Sequence, residues 1–540
     1  MDLFYVPSGP RDHSVRTAVN KHITSHLWAL KRKHGVQMPW RKSRLARIVP
    51  RPDASFEQGQ RPKQHSHSAR LPMETHRLPS LTLARLEPFQ LLHDNFTDPL
   101  VRQLFHHSST VFWPGFDPGL QSFSIARFWI PAALQEPALF HAFMWAATLH
   151  RNIRGRTLIR HPGLLKHHYA AVQHLTGEFA KGITEVRDTL LLSILALQTH
   201  EIKETDVFKA TDEGFQPSFA DLQWLDVYSR RPYIETHGNA LERFTDLRGG
   251  PECLELPGLD ALMQYTDIIA ASVKLRPPHF RPLSYLDAMG KNEPRWWYFG
   301  HDIYMEDDVT PPLRYLVALG LEDPLLDVIL DMRIFTILID AYCEKTVETP
   351  NLSRLALHRN LIHRRLLSTL PSEPESDELL GSNLNITALT RTVVMVFALG
   401  VTFPIAYKKP LATLVDRLQQ HIVLHHSELL KLGLSDFLTW ALIIGGIASA
   451  ECTAASTVQL WYVQQLVGVE VLRQKLSWQS QQPEPFRPWA EIQRVCCQFL
   501  WQGRACDHGG LLLWQRVLEA AADDQRRIRK PWDFHRGHTV

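Results

Sequence analysis

Residues 138–153 read ALFHAFMWAATLHRNI and set Leu139, Phe143, Ala146 and Leu149/His150 at intervals of three or four. Residues 164–180, LLKHHYAAVQHLTGEFA, repeat the period through Leu165, Tyr169, Val172, Leu175 and Phe179. Residues 185–201, EVRDTLLLSILALQTHE, are apolar on every side through their middle. Such spacing puts apolar side chains on one face of a helix. A helix that is apolar all round belongs inside a bundle.

The same periodicity returns at 325–343, 353–370, 385–406, 411–432, 436–450, 455–476, 489–501 and 511–522. Alternating strand patterns are scarce, and no solenoid repeat is present. The reading is an all-α fold, one large multi-helix array over residues 81–540. Within it, residues 203–250 are polar and broken, which reads as a long insertion or loop, and PSEPESDELLGSN (371–383) reads as an acidic interhelical loop.

The first eighty residues differ. HSVRTAVNKHITSHLWALKRKHG (13–35) carries the stripe Val15, Val19, Ile23, Leu27 and Leu30, with Ser14 to cap its start and Gly35 to end it. Residues 1–35 are therefore a basic helix segment that needs an apolar partner. Residues 36–80 lose all periodicity and read as a disordered basic linker. Residues 1–77 hold 15 Lys and Arg against 5 Asp and Glu, a net charge of +10. With +3 on the whole chain, the remaining 463 residues carry −7. A basic arm on an acidic body points to a polyanion or an import receptor as the arm's partner. Its contact residues are Arg16, Lys21, Lys31, Arg32, Lys33, Arg41, Lys42, Arg44 and Arg47. Each is otherwise an ordinary solvated charge.

Known site chemistries find no anchor in the sequence. It has no GxGxxG, no GxxxxGK[ST], no GxSxG elbow and no HExxH. His421 and His425 have metal-ligand spacing on one helix face, but no carboxylate motif joins them. The pairs His106–His107, His167–His168 and His425–His426 read as surface or boundary residues. The six cysteines are Cys253, Cys343, Cys452, Cys496, Cys497 and Cys506. Cys496, Cys497 and Cys506 sit among apolar neighbours and read as buried, inert thiols. Trp129, Trp145, Trp461, Trp501 and Trp514 read as core packing. The sequence thus suggests a chain that is not an enzyme, with no cofactor and no metal. The longest apolar runs, 393–407 and 440–450, fall short of the roughly 20 residues a membrane span needs, so no membrane partner is expected. Sparse cysteines and the lack of a secretory signal read as a reduced, intracellular chain.

Two segments carry a family resemblance. The first is FYVPSGPRDHSVRTAVNKHITSHLWALKRKHG (4–35). The second spans Pro99–Glu201, through PLVRQLFHHSSTVFWP, FWIPAALQEPALFHAFMWAATLH, HHYAAVQHLTGEFA and VRDTLLLSILALQTHE. The chain resembles the fungal-specific transcription-factor-like proteins, in the branch without an N-terminal zinc cluster. A binuclear cluster needs six cysteines within about thirty residues, and here the first cysteine is Cys253. The resemblance implies a helical regulatory domain, a nuclear location and a role in transcription. DNA through the arm, the transcription machinery and an import receptor are the implied partners. A helical interaction scaffold without DNA contact, and a small-molecule-binding protein or unrecognised enzyme, are the alternatives.

Overall fold

The computed structural model describes residues 47–50, 98–116, 124–155, 162–181, 185–198, 213–229, 235–285, 303–306, 309–345, 352–371, 383–452, 455–477 and 487–528. They hold seventeen α-helices and one two-stranded ladder, so the all-α expectation holds. The ladder pairs β1 (Arg47–Pro50) antiparallel with β2 (Ile303–Glu306), with Arg47 opposite Glu306. β1 falls in a stretch whose sequence predicts no element. The rest of residues 1–80, including the helix expected over 13–35, lies outside the described residues. The chain divides after Leu45, and everything described belongs to the second unit. Among the described residues no helix is long and apolar enough to cross a membrane.

The first group of helices gathers on α3. α1 (Pro99–His107), α2 (Ala126–Gln135), α4 (Pro162–Ala180) and α5 (Asp188–Gln198) all pack against α3 (Pro137–Arg154). From Ala138 to His150, α3 buries every residue but His141. Proline marks the starts of α1 and α3, where the missing N–H has no intrahelical partner anyway. Asp98 caps α1 by accepting from Leu100 N at 2.8 Å.

α4 turns the expected face outward. Leu165, Tyr169, Val172 and Phe179 are exposed, while Ala171 and Leu175 are buried. Its inner side is set by rings from α3. His167 Nδ1 lies 2.8 Å from His141 Nδ1, His174 stacks on His141, and Trp145 meets His168. The flat rings and the small Ala171 allow a closer approach than the longer apolar stripe, which is left on the surface.

Residues 203–250, read above as an insertion or loop, are also corrected. They contain a 3-10 turn at Leu222–Trp224, α6 (Leu225–Tyr228) and α7 (Glu235–Leu247), which packs on α5. α7 buries Leu241 and Thr245 in its interior, too few for the stripe to stand out in the sequence. α8 (Leu259–Lys274), α9 (Pro311–Ala318), α10 (Asp323–Cys343) and α11 (Leu352–Leu367) follow, with α11 packed on both α8 and α10.

The second group surrounds one buried helix. α12 (Ile386–Phe397), α13 (Lys409–Lys431), α15 (Ala455–Ser477), α16 (Trp489–Cys497) and α17 (Gly503–Ile528) all contact α14 (Ser435–Ser449). Every α14 residue from Phe437 to Ser449 is buried. Gly445 admits the Tyr462 ring where a Cβ would collide with it, and Tyr462 Oη then donates to Val415 O at 3.0 Å. The apolar run at 393–407 is likewise interior: α12 passes into a π-turn, Ala398–Thr402, just before Pro404. The segment ahead of α16 is pinned by a buried ion pair. Arg487 Nε donates to Glu470 Oε1 at 2.7 Å, their side chains 7% and 1% exposed, and Trp514 Nε1 donates to Arg487 O at 3.1 Å.

Two stability experiments follow from this packing. Arg487→Met strips the buried Glu470 carboxylate of its guanidinium partner, an expected loss of about 3–5 kcal/mol in denaturant titration. Arg487→Met combined with Glu470→Leu recovers most of it. On α4, Leu165→Ser and Tyr169→Ser each change stability by about 0.5 kcal/mol or less. Ala171→Leu on the inner side costs about 1–3 kcal/mol by overpacking against α3.

Candidate functional site: a buried arginine cluster and its cleft

α11 reads LSRLALHRNLIHRRLL, four arginines and two histidines with no acid. Arg359 with His363, and Asn360 with Arg364, are i, i+4 pairs on one side of the helix. That side faces inward. Arg359 is 2% exposed, His363 2%, Asn360 7% and Arg364 6%. Surface charges would be the ordinary use of such residues.

Arg359 reaches across to the 3-10 turn. Its Nη1 donates to Leu222 O at 3.0 Å and its Nη2 to Gln223 Oε1 at 3.1 Å. Nε and Nη2 also lie 3.3 Å from Asn360 Oδ1, and the group sits over the Phe403 ring at 5.1 Å. Asn360 Nδ2 donates to the same Gln223 Oε1 at 2.8 Å. From α8, Tyr265 Oη donates to Gln223 O at 3.1 Å. Burial holds the Tyr265 phenol above its ordinary value, so it stays neutral. Burial also lowers the Arg359 pKa, with Tyr265 working against the shift.

The turn these groups grip is strained. Gln223 (φ 54°) and Trp224 (φ 56°) are consecutive non-glycine residues in the left-handed region, a costly conformation that persists only where its surroundings impose it. α3 and the turn that follows α1 grip its other side. Trp224 Nε1 donates to Phe112 O at 2.8 Å, Arg154 covers the indole at 4.8 Å, and His150 meets it edge-on at 4.4 Å. One turn therefore joins α3, α8 and α11.

Arg364 completes the cluster. Its Nη1 donates to Gln264 Oε1 at 2.7 Å and faces Asp267 Oδ2 at 3.7 Å, and its Nη2 donates to Phe280 O. Asp267 also accepts the N–H groups of His279 and Phe280 at 2.9 and 3.0 Å. Burial nonetheless raises its carboxyl pKa. His363 stacks on Phe403 with ring centres 4.1 Å apart. Ser272 Oγ gives its hydrogen to Ile268 O, so the 2.7 Å contact runs from His363 Nε2–H to Ser272 Oγ. Burial, with Arg359 beside it, lowers the His363 pKa to about 3. His150, buried against Phe112 and Trp224, is likewise lowered to about 3.

In front of the cluster lies a partly enclosed cleft of about 30 Å³. Gln223, Gln264, Tyr265, Asn360 and Arg364 are its polar lining residues, and Phe116, Leu262, Ile268, Leu357 and Leu361 are among its apolar ones.

The arm residues singled out in the sequence are not gathered here. Arg16, Lys21, Lys31, Arg32, Lys33, Arg41, Lys42 and Arg44 lie outside the described residues, and Arg47 opens β1. His421 and His425 are both buried on α13, and His425 Nδ1 is 3.6 Å from Glu428. The expectation of a surface or boundary position for His425 is thus corrected; α13 turns it inward with Leu418 and Ile422. Among the described residues no three His, Cys, Asp or Glu side chains gather to hold a metal. Cys496 and Cys506 are buried, and burial holds both thiols well above their ordinary value. Cys497, turned about a hundred degrees from Cys496, is exposed instead. Of the tryptophans, Trp129, Trp145, Trp501 and Trp514 are buried as core packing requires.

Residues 92–479 match the family model described as the fungal specific transcription factor domain. The turn, α8, α11 and Phe403 all lie inside that span. Among curated proteins and among solved structures, nothing matches.

Buried histidines, His150 and His363 among them, make stability fall with acid. Both are neutral in the folded chain down to about pH 3, whereas the unfolded chain takes up their protons below about 6.5. Between those limits the unfolded state binds more protons, so stability drops as pH drops. Each group contributes a slope of about 1.4 kcal/mol per pH unit where its shift is fully felt. The unfolding free energy measured from pH 7 to pH 4.5 is expected to decline. His363→Gln is expected to flatten that decline by about one proton's worth.

Proposed function

Because the chain belongs to the fungal specific transcription factor domain family, we propose that it regulates transcription in the nucleus, its helical body serving as the regulatory domain and its basic arm as the contact to DNA or to an import receptor. The family match over residues 92–479 carries this reading. The +10 charge of residues 1–77 supports the second part.

Residues 1–252 hold no cysteine, so the arm itself carries no zinc cluster. Lys31, Arg32 and Lys33, with Arg41, Lys42, Arg44 and Arg47, offer positive charge in a stretch with no base-reading motif. Contacts of that kind neutralise phosphates and give affinity with little sequence discrimination. Specific recruitment then falls to protein partners in the transcription machinery, met by the helical body. Among the described residues, the buried polar groups of the cluster bond to one another and to backbone.

Chromatin association of the tagged chain, with and without residues 1–77, tests the proposal. The full chain is expected in the nucleus and on chromatin, and the truncated chain is expected to lose both. Replacing Lys31, Arg32 and Lys33 by Gln is expected to weaken DNA binding and make it less steep in salt, by roughly 0.9 in log–log slope for each phosphate no longer neutralised. Equal nuclear and chromatin levels for all three chains would remove the arm from the function.

A further inference from the structure

Leu165, Tyr169, Val172, Thr176 and Phe179 follow one another along α4 at intervals of four, three, four and three. That spacing keeps them in one straight stripe. All five are exposed, the four apolar ones between 40% and 63%. At the far end Phe244 of α7 stacks on Phe179, and Leu247, one turn further, is exposed as well. Solvated helix faces carry charges. From Leu165 to Ala180 the outward side of α4 carries a single Asp, Glu, Lys or Arg, which is Lys166. Glu178 is turned inward to Arg187 at 3.0 Å. Thr176 gives its hydroxyl hydrogen to Val172 O at 2.8 Å within the helix, so covering it leaves no unpaired donor there.

The stripe is its own complement. Val172 is its midpoint, with Leu165 and Phe179 the same distance along the chain on either side. A two-fold axis through Val172 lays α4 antiparallel on α4 of a second copy. Val172 then meets its own counterpart, and the Leu165 end of each copy meets the Phe179 end of the other. Charge agrees with that arrangement. The two Lys166 side chains end up about 18 Å apart along the helices, beyond the screening length. Each lies beside the last turn of the other copy's α4, whose unpaired carbonyls carry partial negative charge. A parallel pairing would set the two lysines side by side. Aromatic side chains bury about 150–250 Å² when fully covered, so the four partly exposed apolar ones offer roughly 400 Å² per copy. Lys166, Gln173, Thr176 and Ala180 around them bring the sum over both copies to about 1,200 Å², the lower limit of a specific interface.

We propose that the outward face of α4 is a homodimer interface, an antiparallel two-fold contact with a second copy of this chain, centred on Val172. Its small area makes it a dimer in exchange with monomer at micromolar concentration and not a permanent one. Each copy folds without it, because the inner side of α4 is already packed on α3 of the same chain.

Sedimentation equilibrium of the full chain reads the mass directly. It is expected to rise from 62.1 kDa at sub-micromolar concentration towards twice that value at tens of micromolar. Val172→Glu and Val172→Lys each set like charges against one another across the axis. Each alone is expected to weaken the dimer about tenfold or more. The two variants mixed in equal amounts set opposite charges across the axis and are expected to recover it. Leu165→Ser combined with Tyr169→Ser gives a second comparison, with helical circular dichroism unchanged and the dimer lost. A full chain that stays at 62.1 kDa throughout, a dimer untouched by Val172→Glu or by the serine pair, or a mixture that stays monomeric overturns the proposal. None of these readouts depends on DNA or the nucleus, so they stand or fall apart from the transcriptional reading.

Discussion

A single guanidinium, that of Arg359, is the constraint on which the middle of this protein rests. It lies inside the fold, and it holds a backbone carbonyl and a side-chain amide of a turn that would not keep its shape alone. Two consecutive left-handed residues without glycine are stable only under enforcement. The enforcement comes from three directions: Arg359 and Asn360 on α11, Tyr265 on α8, and the ring and cation contacts of α3 around Trp224. Removing any one leaves buried polar atoms of the others unpaired, which costs more than the bond itself contributes. The cluster behaves as one unit for that reason.

Around this junction the two helix groups are built on the same plan. α3 and α14 are each buried nearly all round, and each is ringed by helices that bury one face. The chain also uses polar groups where a simpler bundle would use leucines. Arg487 with Glu470 ties α15 to the segment ahead of α16, and Arg364 with Gln264 and Phe280 O ties α11 to α8 and the segment after it. Apolar packing supplies most of the driving force. The polar ties decide which loops and helices meet.

Periodic apolar spacing marks α3, α10, α12, α13, α14 and α15 almost to their ends, since long buried helices leave the strongest pattern. In α4 the pattern stops being sufficient. Its apolar stripe is legible, but which side faces inward depends on His141 and Trp145 of another helix. α6, α7 and the turn at 222–224 leave no pattern, because few of their residues are apolar and the turn is held from outside. The cluster on α11 escapes a sequence reading for a different reason. Charged residues at i, i+4 normally mark a solvated face, and only the absence of any acid in LSRLALHRNLIHRRLL hints otherwise. The arm is legible as charge, and charge alone says nothing of geometry.

The grip on the turn also sets an order of events during synthesis. Arg359 meets Leu222 across 137 residues of chain. At roughly 5–20 residues per second, the ribosome needs on the order of 7–30 s to make that length. For that interval α3 and its neighbours have emerged while the turn at 222–224 still lacks its clamp, and the apolar surfaces waiting for α8 and α11 stand open. A nascent chain in that state is a client for chaperones, and a slow codon or a truncation between 225 and 359 would prolong its exposure. The yield of folded protein is thus tied to translation speed through one side chain.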